Sequence, residues 1–119
     1  MDFDKNAPIW LQVMDELSAQ IVSGKLRPNE KLPGVRELAM SFSINPNTAA
    51  RVYQEMEKAG ICETRRGLGT FVTDDQLMIG RLREESARRA AQAYVSTMKE
   101  LGFGGEDIIR ILTEVESNA

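Results

Sequence analysis

The sequence predicts a mainly α-helical protein with one small β-hairpin. Apolar residues recur at three- and four-residue spacing in four segments, a fifth is helical by composition, and strand-forming residues flank a glycine-rich turn once, after the third helix. Proline and glycine fall at the ends of these segments and, Gly80 apart, not inside them. In the first segment Ile9, Val13, Leu17 and Ile21, with Trp10 and Met14 beside them, follow Pro8, which a first helical turn tolerates; Gly24 closes the end. LRPNEKLPG reads as a loop, because its prolines remove donors and Gly34 frees the backbone. Val35, Leu38, Ala39 and Phe42 mark a short second helix.

A third helix begins at Asn45, a good N-cap, with Pro46 at the first position, where its missing N–H is no loss. It runs to about Ala59, with Gly60 as a left-handed stop. Next, Ile61 to Arg65 and Thr70 to Thr73 flank Gly67-Leu68-Gly69 as a hairpin, with Cys62 and Thr64 facing one way and Ile61 and Glu63 the other. From about Asp74 to Leu101 the composition is helical, giving a helix roughly 40 Å long at 1.5 Å per residue, too long for a domain this small to cover. Gly102 stops it, Phe103 packs back on the stop, and Gly104 and Gly105 turn the chain into a shorter amphipathic helix bearing Ile108, Ile109, Leu112 and Val115. The layout is a winged helix-turn-helix over residues 1–73, followed by a two-helix tail over 74–119.

At 119 residues, with 42% hydrophobic and 28% charged side chains, the chain has the composition of one folded domain with an appendage. Its apolar runs are far shorter than the roughly 20 residues of a membrane span and its first residues are acidic, so a cytoplasmic protein with no membrane partner is expected. One cysteine and no histidine exclude an internal disulfide, leave zinc sites and histidine acid/base chemistry without their residues, and make an enzyme the remotest reading; no cofactor is expected. The net charge of −3 conceals an uneven distribution: residues 25–73 carry +3 and residues 74–119 carry −3. Only the middle of the chain suits a polyanion.

On a helical wheel the third helix separates into a core face of Ala49, Val52, Tyr53, Met56 and Ala59 and an opposite face of Asn47, Ala50, Arg51, Gln54 and Lys58. Amides, a guanidinium and an ammonium in that order suit base edges and phosphates in a major groove. The plainer reading is that any surface helix is polar outside and that Arg51 pairs with Glu55. Arg65 and Arg66 beside the wing glycines suit a phosphate backbone or a minor groove, against the alternative of a solvated turn.

The segments PIWLQV, GKLRPNEKLPGVRELA, INPNTAARVYQEMEKAGI and TRRGLGTFV resemble the winged helix-turn-helix of the GntR family of bacterial transcriptional regulators. The resemblance covers about residues 8–73 and rests on LPxxRELA, the NPNT turn and the RxGxGTFV wing, in order and at the family's distances. It implies that Arg36, Asn47, Thr48 and Gly69 occupy DNA-contacting positions. This sequence carries Gly34 where the family commonly has serine, and Pro46 and Ala50 where many relatives have arginine. The tail resembles the small YtrA-type branch, in which two helices stand in place of a ligand-sensing domain.

A 46-residue tail is too short to bury a core of its own. Leu82, Ala87, Ala90, Ala91, Ala93, Tyr94, Met98 and Leu101 are the candidates for packing against a second copy, the alternative being that both helices pack only on their own domain. The expected function is that of a homodimeric, sequence-specific regulator of the repressor kind on a palindromic double-stranded DNA operator. Asn45, Asn47, Thr48, Arg51, Gln54 and Lys58 of the third helix, with Arg36, Arg65, Arg66 and Gly69, form the candidate DNA surface. The alternative is a winged helix that docks a protein. The residues specify no small-molecule effector.

Overall fold

Seven elements follow one another in the computed structural model, which describes residues 1–119: α1 (Ile9–Val22), α2 (Val35–Phe42), α3 (Pro46–Lys58), β1 (Cys62–Arg65), β2 (Gly69–Val72), α4 (Gln76–Glu100) and α5 (Gly105–Ser117). All the expected helices and the hairpin are present. They form two compact units, Met1–Arg83 and Glu84–Ala119.

In the first unit α1 and α2 both pack on α3. Val13, Leu17 and Ile21 from α1, Leu38 and Ala39 from α2, and Ala49, Val52, Tyr53 and Met56 from α3 meet in one core. Val13, Val52 and Met56 are fully excluded from solvent, and burial of each stabilises the fold by about 1.5–3 kcal/mol. The wheel placed Ala59 on this face, but α3 ends at Lys58 and Ala59 is exposed at its C-cap. The compact unit reaches Arg83, beyond the sequence boundary at 73/74, because Ile79 and Leu82 from the start of α4 complete its core.

The turn between α2 and α3 is closed by two hydrogen bonds, Ser43 N–H to the Met40 carbonyl (3.3 Å) and Ile44 N–H to the Ala39 carbonyl (2.9 Å). This pattern needs a left-handed residue, and here Ser43 takes it, at φ 55°. Asn45 then starts α3, its Oδ1 accepting from the Asn47 N–H at 2.7 Å. The short turn thus fixes where the first residues of α3 emerge.

The wing differs from the sequence expectation in two ways. Ile61 lies before β1 rather than in it, and although Cys62 to Arg65 alternate in face as a paired ladder requires, Thr64 is exposed like Glu63 because the strand runs out beyond the core. Ile61 lies in the closure after α3, its N–H bonded to the Met56 carbonyl at 2.9 Å, and only the base of a two-stranded hairpin rests on the core. The hairpin tip is Arg66-Gly67-Leu68 rather than Gly67-Leu68-Gly69, since Gly69 is already in β2 opposite Arg65. The loop before α2 also joins the wing: Lys31 bridges Phe71, the Leu32 N–H donates to the Thr70 carbonyl (2.8 Å), and the Val72 N–H donates to the Glu30 carbonyl (2.9 Å).

In the second unit the end of α4 is closed by Gly102 at φ 91°, with the Phe103 N–H bonded to the Met98 carbonyl at 3.0 Å. Met98 and Ile108 are buried between α4 and α5, and the Tyr94 hydroxyl donates to the Ile108 carbonyl at 2.8 Å. Leu101, Phe103, Ile109, Leu112 and Val115 remain exposed. No helix is long and apolar enough to cross a membrane.

Candidate nucleic-acid interface

Three segments of the first unit carry the candidate DNA-binding side chains: the start of α2, the outer face of α3, and the wing. Tyr53 on the core side of α3 joins the first two. Its hydroxyl donates to the Pro33 carbonyl just ahead of α2. Burial raises its pKa well above the ordinary phenol range, so it remains a donor at neutral pH. The Leu32–Thr70 hydrogen bond next to it joins the third segment, and all three therefore hang on one small group of residues.

On α3, Asn47, Arg51, Gln54 and Lys58 are exposed, while Ala50 and Thr48 are half-buried. The side-chain oxygen of Asn45 is committed to capping the helix, which gives this residue a structural task. Lys58 pairs with half-buried Glu55 at 3.6 Å, and the lysine side chain itself is 78% exposed, so the pair adds little to stability. Arg51 does not make the plain Glu55 pairing: its guanidinium lies over the indole of Trp10 on α1, 4.6 Å from the ring centroid. Such a contact is worth about 0.5–1 kcal/mol at an exposed site and gives the arginine a defined starting position.

Arg36, the second residue of α2, is exposed. The two wing arginines separate in role. Arg66 is exposed at the tip. Arg65 folds back, with its guanidinium 4.2 Å from the centroid of Phe71, at 2.8 Å from a Glu63 carboxylate oxygen, and bonded to the Asn29 side-chain oxygen. Its charge is already matched by Glu63, and its Nε and Nη2 donors are engaged. Gly69 has φ 118°, and a Cβ there would stand 2.8 Å from Lys31 Cε, so the Lys31 side chain lies across the glycine. Lys31 is the wing cation that sequence reasoning did not place, because the residue lies about 40 positions away in the chain and only the strand-like pairing with Phe71 brings it there. Cys62 is buried beneath, its thiol pushed up to about 12 chiefly by burial and then by Glu57 and Glu63, and so stays protonated and unreactive at neutral pH.

This division predicts separable effects. Arg66→Ala should lower the magnitude of the log affinity versus log salt slope by about 1 per subunit, and Arg65→Ala should leave the slope nearly unchanged while destabilising the fold by about 1 kcal/mol. Titrations of duplex binding at several salt concentrations, with thermal unfolding of the same variants, check both. Equal slope changes for the two would show that Arg65 leaves Phe71 and Glu63 for the duplex.

The candidate dimer residues are also sorted. Leu82 is in the core of the first unit and offers no surface to another copy, which corrects the sequence assignment; it packs inward because the start of α4 covers the end of that core. Met98 is buried within the second unit. Ala90, Ala91 and Tyr94 line an apolar groove with Val95, Ile108, Ile109 and Leu112, and Ala87, Ala93 and Leu101 are exposed.

Known proteins resemble this chain in sequence and in fold. The chain is 41% identical over 107 residues to the uncharacterized HTH-type transcriptional regulator YhcF of Bacillus subtilis, covering 90% of this chain and 88% of that protein. It is 39% identical over 75 residues to the HTH-type transcriptional repressor YtrA of the same organism, covering 63% of this chain and 58% of that one. Among solved structures, a GntR family transcriptional regulator from Listeria monocytogenes superposes with a TM-score of 0.82 at 35% identity, over 94% of this chain and 98% of that chain. The DNA-binding domain of AraR, solved in complex with an operator, superposes with a TM-score of 0.55 at 28% identity, over 61% of this chain and 89% of that chain. The relatives are transcriptional regulators rather than enzymes. Residues 10–72, more than half of the chain, match the model of the bacterial regulatory proteins of the gntR family, and the protein belongs to that family of DNA-binding transcriptional regulators.

Proposed function

We propose that the protein is a cytoplasmic transcriptional repressor that binds a palindromic operator as a homodimer, with the winged helix of each copy on one half-site and the two-helix tails forming the contact between copies. The observation that carries the DNA side is the outer face of α3. It presents Asn47, Arg51, Gln54 and Lys58 without a large apolar side chain, on the unit that also exposes Arg36, Lys31 and Arg66. The operator complex of the AraR domain and the repressor YtrA support the same reading. The homodimer is supported by the second unit, which leaves Ile109, Leu112 and Val115 of α5 exposed at 68%, 51% and 62%. A two-helix unit this small cannot shield its apolar residues alone, and a second copy supplies the missing cover.

Selection of bound fragments from random duplex DNA tests the proposal. The expected result is a palindromic consensus whose half-sites are related by a two-fold axis. A single unrepeated site would overturn the homodimer, and the absence of any enriched sequence would favour a winged helix that docks a protein.

A further inference from the structure

In the first unit Leu68 at the wing tip and Met40 on α2 are strongly exposed apolar side chains at the DNA-binding elements, and of the two Met40 borders a groove. Met40 on α2 is 80% exposed. It borders a shallow groove whose other walls are Arg36, Ala39, Ile44 and Pro46. Met40 stands one helical turn after Arg36, and Pro46 is the first residue of α3, immediately before the exposed Asn47. The groove therefore lies between two polar members of the candidate DNA surface and is continuous with it. Pro46 has no N–H, and its ring offers the outside only aliphatic carbon.

We propose that this groove is a base-reading subsite for the 5-methyl groups of thymine, with Met40 and Pro46 as its specificity-determining residues; the inference rests on the DNA reading above. Recognition helices present their first residues to base edges, and here the first residue has no side-chain donor or acceptor. The one aliphatic group that duplex DNA displays in the major groove is the thymine methyl. An apolar protein partner would have to bury Arg36 along with Met40 and desolvate its charge, whereas polyanionic DNA offers that arginine opposite charge. The flexible, polarisable Met40 side chain suits contact with a small methyl group.

Deoxyuridine lacks the methyl group and keeps every hydrogen-bonding group of thymidine, which allows a direct test. Each thymidine of the selected operator duplex is replaced in turn by deoxyuridine, and binding to the full-length protein is measured by competition. One or two positions per half-site should lose about three- to fivefold in affinity with the wild-type protein, the effect of removing one buried methyl group. Met40→Ala or Pro46→Ala should bind the thymidine operator more weakly and show little difference between the two duplexes at those positions. Met40 is exposed, so its replacement leaves the fold intact, as unfolding of the variant checks. Wild-type protein indifferent to deoxyuridine at every position overturns the proposal, as does full methyl sensitivity retained in both variants. Failure of the DNA reading has a different signature, no preference of the wild-type protein for the selected duplex over bulk DNA, and the subsite falls with it.

Discussion

Ile109→Asp combined with Leu112→Asp is expected to convert the protein to a monomer at micromolar concentration and to lower its affinity for a complete operator by about 100-fold or more. Both side chains are exposed on α5, at 68% and 51%, so placing a carboxylate there costs the isolated chain little. In a dimer the same positions are buried against a second copy, and two carboxylates per subunit without partners oppose association strongly. The loss of operator affinity follows from linkage alone. In a dimer, the first half-site engaged holds the second winged helix at a high local concentration, and separate monomers forfeit that gain. Affinity for an isolated half-site should stay close to that of the wild-type protein, because the first unit is untouched. Sedimentation and half-site titration provide the two measurements. A variant that remains dimeric would place the contact between copies elsewhere, and a monomer with full operator affinity would show that the two half-sites are bound independently.

Arg51→Ala carries the second large expected effect, a loss of about 1–3 kcal/mol in binding to the selected operator. Relaxed preference at one base pair per half-site would identify a base contact, and uniform weakening across sequences would identify a phosphate contact. The stacking on Trp10 shapes this result. To reach a base the guanidinium leaves an aromatic face worth about 0.5–1 kcal/mol, so the contact with DNA must exceed that amount. Trp10 is the single tryptophan of the chain, and its fluorescence reports on the move. Emission should change when wild-type protein binds the duplex and change much less in Arg51→Ala. Identical fluorescence responses in the two proteins, with equal affinities, would assign Arg51 the lesser task of joining α3 to α1.

The order and type of the elements were legible in the sequence because each is marked by local chemistry. The cap at Asn45, the proline after it and the glycine at position 60 bracket α3 whatever it packs against, and the spacing of Val52, Tyr53 and Met56 fixes its buried side. The cationic middle of the chain and the polar outer face of α3 could be read in the same way, since both depend on residue type and period. Long-range pairing was not legible. Nothing local marks Lys31 as a neighbour of the wing, or shows that Arg65 is held by Phe71, Glu63 and Asn29 while Arg66 remains exposed. Leu82 looked like one more apolar residue on a long helix, and only the core it completes shows which unit it serves. The sequence by itself determined where helices and turns form, because capping, proline and glycine effects and apolar period act within a few residues. The tertiary structure alone decided which of several chemically equivalent charges and apolar groups remain available, because burial, stacking and charge matching depend on what distant segments bring alongside.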